Sequence, residues 1–80
     1  MNKKLKKIFS KIIGIKESSI KPSTSPKNTK KWDSLAHMNL VMALENELKI
    51  KFTDNEITEM LTFELVKEII INKKSAKYID

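Results

Sequence analysis

The sequence has no cysteine, no arginine, one histidine and one glycine among its 80 residues. The lack of cysteine excludes disulfides, thiolate metal sites and a thiol nucleophile, and His37 alone cannot supply a histidine-rich metal cage. Apolar runs such as residues 69–71 are far too short to span a bilayer. Lysines interrupt the apolar residues of the N-terminus, which therefore lacks the continuous core of a signal peptide. We expect a soluble cytoplasmic protein with no metal and no membrane insertion.

The length allows one domain, because a chain of this size closes only a single modest core. We expect residues 1–80 to form that domain, with a core over about 3–71 and a flexible, lysine-rich tail over 72–80. Such a chain is too small to wall a deep cleft around a complete catalytic set. The sequence therefore predicts a non-catalytic protein, and we expect a monomer.

Positive charge is concentrated at the two ends of the chain. Residues 1–31 hold ten Lys and one Glu, and residues 72–80 hold three Lys and one Asp, whereas residues 32–71 hold three Lys and eight acids. A basic segment allows a small helical protein that binds nucleic acid or an acidic protein partner. Against nucleic acid stand the absence of arginine, of aromatic residues interleaved with the lysines, and of a helix-turn-helix signature.

The apolar spacing of the first third predicts an amphipathic helix followed by a long loop. Residues 2–13 carry a helical stripe, and Gly14 follows where a helix C-terminal cap favours glycine. Residues 21–31 contain only proline, serine, threonine, asparagine and lysine, which is typical of a surface loop. The apolar stripe consists of Leu5, Ile8, Phe9 and Ile12.

A second helix is predicted from Ser34 to about Lys49. Asp33 is a suitable N-cap that can accept from the N–H groups of the first turn. Trp32 precedes the cap, where an apolar residue packs against the fourth helical position, His37. At about 100° per residue, two faces separate. The core face is His37, Leu40, Val41, Leu44 and Leu48, and the opposite stripe is Leu35, Asn39, Met42 and Asn46.

Two further helices follow, and no segment has a strand pattern. Residues 53–56 read Thr-Asp-Asn-Glu, a capping box that opens a short helix to about Met60. Thr62 can cap a last helix whose inward stripe is Phe63, Val66, Ile69 and Ile70. We predict an all-α fold: a small four-helix bundle with three longer helices, one short helix, and a long loop between the first two.

Asp33-Ser34-Leu35, the run from Leu40 to Glu45, and the spacing to Asp54 and Glu56 together resemble the acyl carrier protein family. The similarity covers about residues 5–70. It implies that Ser34 is esterified with 4′-phosphopantetheine donated by coenzyme A. A phosphopantetheinyl transferase and acyl- or aminoacyl-loading and acyl-transferring enzymes are then the implied partners. The first helical turn favours a phosphodiester, because its N–H groups are unpaired.

The sequence also indicates which residues meet partners. Leu35 and Met42 form an apolar stripe one turn from Ser34, beside Asn39 and the capping Asp33, and such a pair suits a shallow apolar groove. Glu45 and Glu47 are predicted to steer the approach of partners. Ser34 has no adjacent base in the sequence, so we expect the transferase to activate it. His37 is expected to be a packed residue.

Several positions depart from the family pattern. Ala36 stands where an acidic residue is usual, no glycine precedes Asp33, and the long loop lacks an apolar anchor, so Trp32 is expected to take over that packing. The chain is basic, with a net charge of +6, whereas carriers of bulk fatty acid biosynthesis are acidic. These differences predict a specialised biosynthetic pathway and leave the acyl or aminoacyl cargo open.

Overall fold

The computed structural model describes residues 2–78, and side chains over residues 3–73. Helix α1 spans Asn2–Ile13, α2 spans Ser34–Leu48, α3 spans Asp54–Thr58 and α4 spans Phe63–Tyr78. A single turn of 3-10 helix, Glu17–Ser19, follows α1 and was not predicted. No residue between 2 and 78 is in a strand. The predicted all-α bundle of three longer helices and one short helix is confirmed.

The core is formed largely by the predicted apolar faces. In α1, however, Ile13 is buried where Ile12 was predicted, and Ile12 and Ile69 are only half-buried. In α2, the four predicted aliphatic residues are buried, while the stripe of Leu35, Asn39, Met42 and Asn46 is exposed. Burying a large aliphatic side chain contributes roughly 1.5–3 kcal/mol each, so these faces determine how the helices pack. The buried apolar residues are Leu5, Ile8, Phe9, Ile13, Ile20, Trp32, Leu40, Val41, Leu44, Leu48, Met60, Phe63, Val66 and Ile70.

Three aromatic rings form the centre of this core. Phe9 of α1 contacts Trp32 edge-on at a centroid distance of 5.2 Å and contacts Phe63 of α4 at 4.9 Å. Such edge-to-face pairs add to the stabilisation from burial. Trp32 is 1% exposed, which confirms that it supplies the apolar anchor that the long loop lacks.

The long loop is held by backbone contacts with the start of α4. The carbonyl of Thr24 accepts from the N–H of Phe63 at 2.8 Å, and the carbonyl of Pro22 accepts from the N–H of Glu64 at 3.1 Å. Thr62 also caps α4 as predicted, its hydroxyl accepting from the N–H of Leu65. N–H groups at a helix start have no acceptor within the helix, so the loop stabilises α4 from outside.

Two predictions about the ends have different outcomes. Gly14 has φ +81° and closes α1, as predicted. Helix α4 continues to Tyr78, several residues beyond the polar boundary at residue 72. Flexibility of residues 72–80 stays a prediction, and residues 79 and 80 lie outside the described residues. Within residues 2–78, no helix is long and apolar enough to cross a membrane.

Candidate functional site

Ser34 is the first residue of α2, and its side chain is exposed. Asp33 precedes it in an extended conformation, and its carboxylate accepts from the N–H of Ala36 at 2.9 Å. The carbonyl of Asp33 accepts from the N–H of His37 at 2.8 Å. The predicted N-cap is therefore confirmed, and it fixes the direction in which α2 begins.

The first turn of α2 has backbone N–H donors that could bind an anionic group. The Asp33 carboxylate accepts from the N–H of Ala36. Among the residues that the structure describes, none accepts a hydrogen bond from the backbone N–H groups of Ser34 and Leu35. Unpaired N–H groups and the helix dipole at this end favour a phosphate ester. Ser34 is the one residue of this turn with a hydroxyl that could carry it.

An open groove of about 640 Å³ runs beside Ser34, between the start of α2 and α3. Trp32, Asp33, Ser34, His37 and Met38 line one side. The other side consists of Ile57, Thr58, Met60 and Leu61, with Pro26 of the long loop also lining the groove. Most of these side chains are apolar. An exposed hydroxyl at the edge of an apolar trough suits a long, thin group attached to Ser34, so the residues present fit a pantetheine arm.

Among residues 3–73, whose side chains the structure describes, none hydrogen-bonds the Ser34 hydroxyl to activate it. The only histidine uses both of its ring nitrogens: Nδ1 accepts from Trp32 Nε1–H, and Nε2 lies 3.0 Å from the carbonyl of Ile57. His37 is half-buried and stacked on Trp32, with 6.0 Å between ring centroids. The expectation that His37 is a packed residue against Trp32 is confirmed. Among the described residues, no group of three or more His, Asp or Glu could hold a metal ion.

The exposed apolar stripe of α2 lies next to Ser34. Leu35 is 73% exposed and Met42 is 58% exposed, and Asn39 is exposed between them. Met38 is also 47% exposed and lines the groove, although sequence reasoning did not select it. Its position, only about 60° from Leu35 on the helical wheel, was the signal that could have identified it.

The structure does not place Glu45 and Glu47 on that stripe. Glu45 is half-buried, and its carboxylate accepts from the N–H of Phe52 at 2.9 Å. Glu47 is exposed on the other flank of α2, where it lines a groove with Lys4, Lys7 and Lys11 of α1. Glu45 thus fixes the connection from α2 to α3, and the predicted steering role of both acids stays a prediction.

Comparisons with known proteins agree with this arrangement. The family model described as "Phosphopantetheine attachment site" matches residues 3–69. The chain is 36% identical to an acyl carrier protein of Buchnera aphidicola subsp. Schizaphis graminum (strain Sg) over 73 residues, which cover 91% of this chain and 92% of that protein. It is 29% identical to an acyl carrier protein of Cyanidioschyzon merolae (strain NIES-3377 / 10D) over 73 residues, 91% of this chain and 80% of that one.

A helical bundle with an exposed serine at the start of α2, matched over most of its length by this family model, is a phosphopantetheine-binding carrier. The chain belongs to the acyl carrier protein family. Its cofactor is accordingly a covalently attached 4′-phosphopantetheine. Membership also implies contact with a phosphopantetheinyl transferase and with acyl-handling enzymes.

Proposed function

We propose that Ser34 carries the 4′-phosphopantetheine arm, donated by coenzyme A, and that the chain presents acyl or aminoacyl groups to partner enzymes as thioesters. The single observation that carries this proposal is the exposed Ser34 hydroxyl at the start of α2, beside the apolar groove. The arm supplies the thiol that a chain without cysteine lacks. The groove is where the arm and the nearest part of its cargo lie.

We propose that the chain is itself non-catalytic. Nothing among the described side chains hydrogen-bonds Ser34, and both His37 nitrogens are engaged with Trp32 and Ile57. A serine without a base is a poor nucleophile, so the transferase activates it. Leu35, Asn39 and Met42, with Asp33 beside them, form the surface that partners read. Glu45 and Glu47, on the two flanks of α2, complete the proposed set of residues that contact partners.

We propose that the chain acts in a specialised biosynthetic pathway rather than in bulk fatty acid biosynthesis. We also propose that it is cytoplasmic and monomeric. Support for the specialised pathway comes from the net charge of +6 and from the neutral residues Ala36 and Asn39 near Ser34 in α2, the helix that we expect partners to contact. Intact-protein mass spectrometry of the natively isolated chain tests this proposal. An arm loaded with an aminoacyl or other uncommon acyl group is the expected result, and a chain loaded only with common fatty acyl groups would contradict it.

Co-expression with a broad-specificity phosphopantetheinyl transferase tests the attachment site. The wild-type chain should gain the mass of one arm, and Ser34→Ala should gain nothing while keeping its helical circular dichroism. Ser18→Ala is the matched control, because Ser18 is also exposed but lies in the 3-10 helix, and this variant should be modified normally. A wild-type chain that stays unmodified by several such transferases would refute the proposal.

Binding of nucleic acid is the competing function. Lys3, Lys4, Lys7 and Lys11 are exposed on α1, but Phe9, Trp32 and Phe63 are buried and cannot stack on bases. Salt-sensitive retention on immobilised DNA would favour the competing function. We expect no retention at physiological salt.

A further inference from the structure

His37 joins the end of the long loop and the start of α2 to α3, which lies about twenty residues further along the chain. Trp32 Nε1–H donates to His37 Nδ1 at 3.0 Å, and His37 Nε2 lies 3.0 Å from the carbonyl of Ile57 in α3. We call these two contacts the histidine bridge. It runs from the end of the long loop, through the first turns of α2, to the last turn of α3. All three residues line the groove beside Ser34.

The two contacts of the histidine bridge determine which nitrogen of the neutral His37 ring carries the proton. An indole N–H only donates, so Nδ1 must be the acceptor and carries no proton. The proton of the neutral imidazole is then on Nε2, which donates to the carbonyl of Ile57. The two contacts therefore select one tautomer, and each contact depends on the other.

Helix α3 depends on contacts with the rest of the fold for its stability. It has five residues, none of them fully buried, and a helix this short is unstable by itself. Its N-terminus is closed by the capping box of Thr53 and Glu56. The carbonyl of Ile57 accepts a long backbone bond, from the N–H of Met60 at 3.4 Å. The histidine bridge adds a shorter contact to this carbonyl from outside the helix.

The other end of the bridge, Trp32, is buried in the core. Trp32 is 1% exposed, stacks on the His37 ring and contacts Phe9 edge-on in the centre of the core. Helix α3 is thus connected through His37 to the aromatic cluster in the core. Movement of α3 would displace Ile57 and Leu61, which line the groove opposite Ser34.

We propose that His37 is a positioning residue: as the Nε2–H tautomer it holds α3 against the start of α2 and so sets the groove that receives the arm's cargo. The part of this proposal that concerns cargo rests on the proposed function of Ser34. The part that concerns α3 does not, because it applies equally to the unmodified chain. The experiment therefore treats the two parts separately.

The unmodified chain is tested by NMR. Ring ¹⁵N shifts of the wild type should show the Nε2–H tautomer, and this preference should weaken in Trp32→Phe, which keeps a ring but loses the donor. In His37→Leu, the amides of Ile57 in α3 and of Glu59 at its C-terminal cap should exchange about tenfold faster or more relative to those of α4. Local opening of α3 then no longer has to break the bond to His37. His37→Gln, whose amide can both accept and donate, should restore part of the protection.

Two results would overturn the role in α3. One is an Nδ1–H tautomer in the wild type. The other is exchange in His37→Leu that rises by the same factor in α3 and α4, since that pattern reports only a global loss of stability.

The cargo is tested with an octanoyl group on the arm. In the wild type and His37→Gln, octanoyl loading should shift the methyl signals of Ile57 and Leu61, and in His37→Leu these shifts should be lost. Equal shifts in all three proteins would overturn the role of His37 in setting the groove. Failure of the proposed attachment is distinguishable, because it appears as a missing arm mass while the results on the unmodified chain stand.

Discussion

At the scale of single residues, the carboxylate of Glu56 contacts both its own capping box and α4. One carboxylate oxygen accepts from the backbone N–H of Thr53 at 2.9 Å, and both oxygens contact the ammonium of Lys73, at 2.9 and 3.2 Å. The hydrogen bond from Lys73, followed by that from Thr53, lowers the pKa of Glu56 below its ordinary value of 4.5 and outweighs the opposing effect of burial. Glu56 thereby ties α3 to α4.

A lowered pKa in the folded state predicts a pH-dependent contribution to stability. The unfolded chain binds the proton more readily, so the ionised Glu56 stabilises the fold above pH 4.5 and loses this effect as the pH falls through the folded pKa. Glu56→Gln should therefore be less stable than the wild type at neutral pH, and the difference should shrink below pH 4.5. Urea denaturation across this range measures it.

Glu59→Gln is the matched control for Glu56. Glu59 is an exposed carboxylate next to the same short helix, and no ion pair to it is present among the described residues. Its substitution should leave stability nearly unchanged at every pH. A difference between Glu56→Gln and the wild type that stays constant from neutral to acid pH would contradict the interpretation.

At the scale of elements, the two ends of α2 are built differently. Asp33 provides a favourable cap at the start, whereas the helix ends at Lys49 with φ 57° and ψ 47°, a left-handed conformation that costs a residue with a Cβ roughly 1–2 kcal/mol. Glycine is usual at such a position, as Gly14 is after α1. The N–H of Lys49 still closes the helix on the carbonyl of Glu45.

Lys49→Gly should stabilise the fold. Relief of the left-handed strain exceeds the extra entropy that glycine gives the unfolded chain, and we expect a gain of about 0.5–1 kcal/mol in the free energy of unfolding. Lys49→Ala removes the charge but keeps the Cβ, so it should remain close to the wild type. Thermal and urea denaturation measure both, and a stabilisation of the alanine variant equal to that of the glycine variant would show that charge, not backbone strain, is responsible.

The helices could be predicted from the sequence where their signals are local. Apolar spacing located α1 and α2, and the Thr53–Glu56 capping box located the start of α3, because these signals lie within one or two turns of the chain. The contact of Trp32 with His37 was predicted for the same reason. The bond from His37 to the carbonyl of Ile57 was not, because every residue offers a carbonyl and only tertiary packing selects one.

The parts of the candidate site that depend on contacts between distant residues could not be predicted from the sequence. Leu35 and Met42 have the exposure that helical periodicity predicted. Glu45 is different, because its bond to the N–H of Phe52 depends on how the chain turns after α2. The groove could not be foreseen either, since its second wall comes from α3, more than twenty residues after Ser34 in the chain.

At the scale of the whole molecule, charge and apolar exposure are segregated. The lysines lie mainly in α1 and the long loop, whereas α2, α3 and the start of α4 carry the acids. The exposed apolar residues of α2 lie in this acidic part. Of these acids only Asp33 lies beside the stripe, since Glu45 is half-buried and Glu47 lies on the other flank of α2. We therefore expect a partner that approaches Ser34 to dock mainly through apolar contacts.

Charge substitution on this stripe tests whether it is the docking surface. Met42→Glu places a carboxylate where an apolar contact is expected, and the initial rate of arm transfer should fall by about tenfold or more, as for a contact near the centre of an interface. Stability should change by no more than about 0.5 kcal/mol, because Met42 is 58% exposed.

The matched control is Ile71→Glu, which makes the same change in net charge at a residue that is 40% exposed on α4. Because Ile71 belongs neither to the stripe of α2 nor to the groove, this variant should be modified at the wild-type rate. Mass spectrometry of timed samples measures both rates. Equal slowing of the two variants would indicate that net charge governs the encounter with the transferase, and a wild-type rate for Met42→Glu would show that the stripe is not the surface the transferase reads.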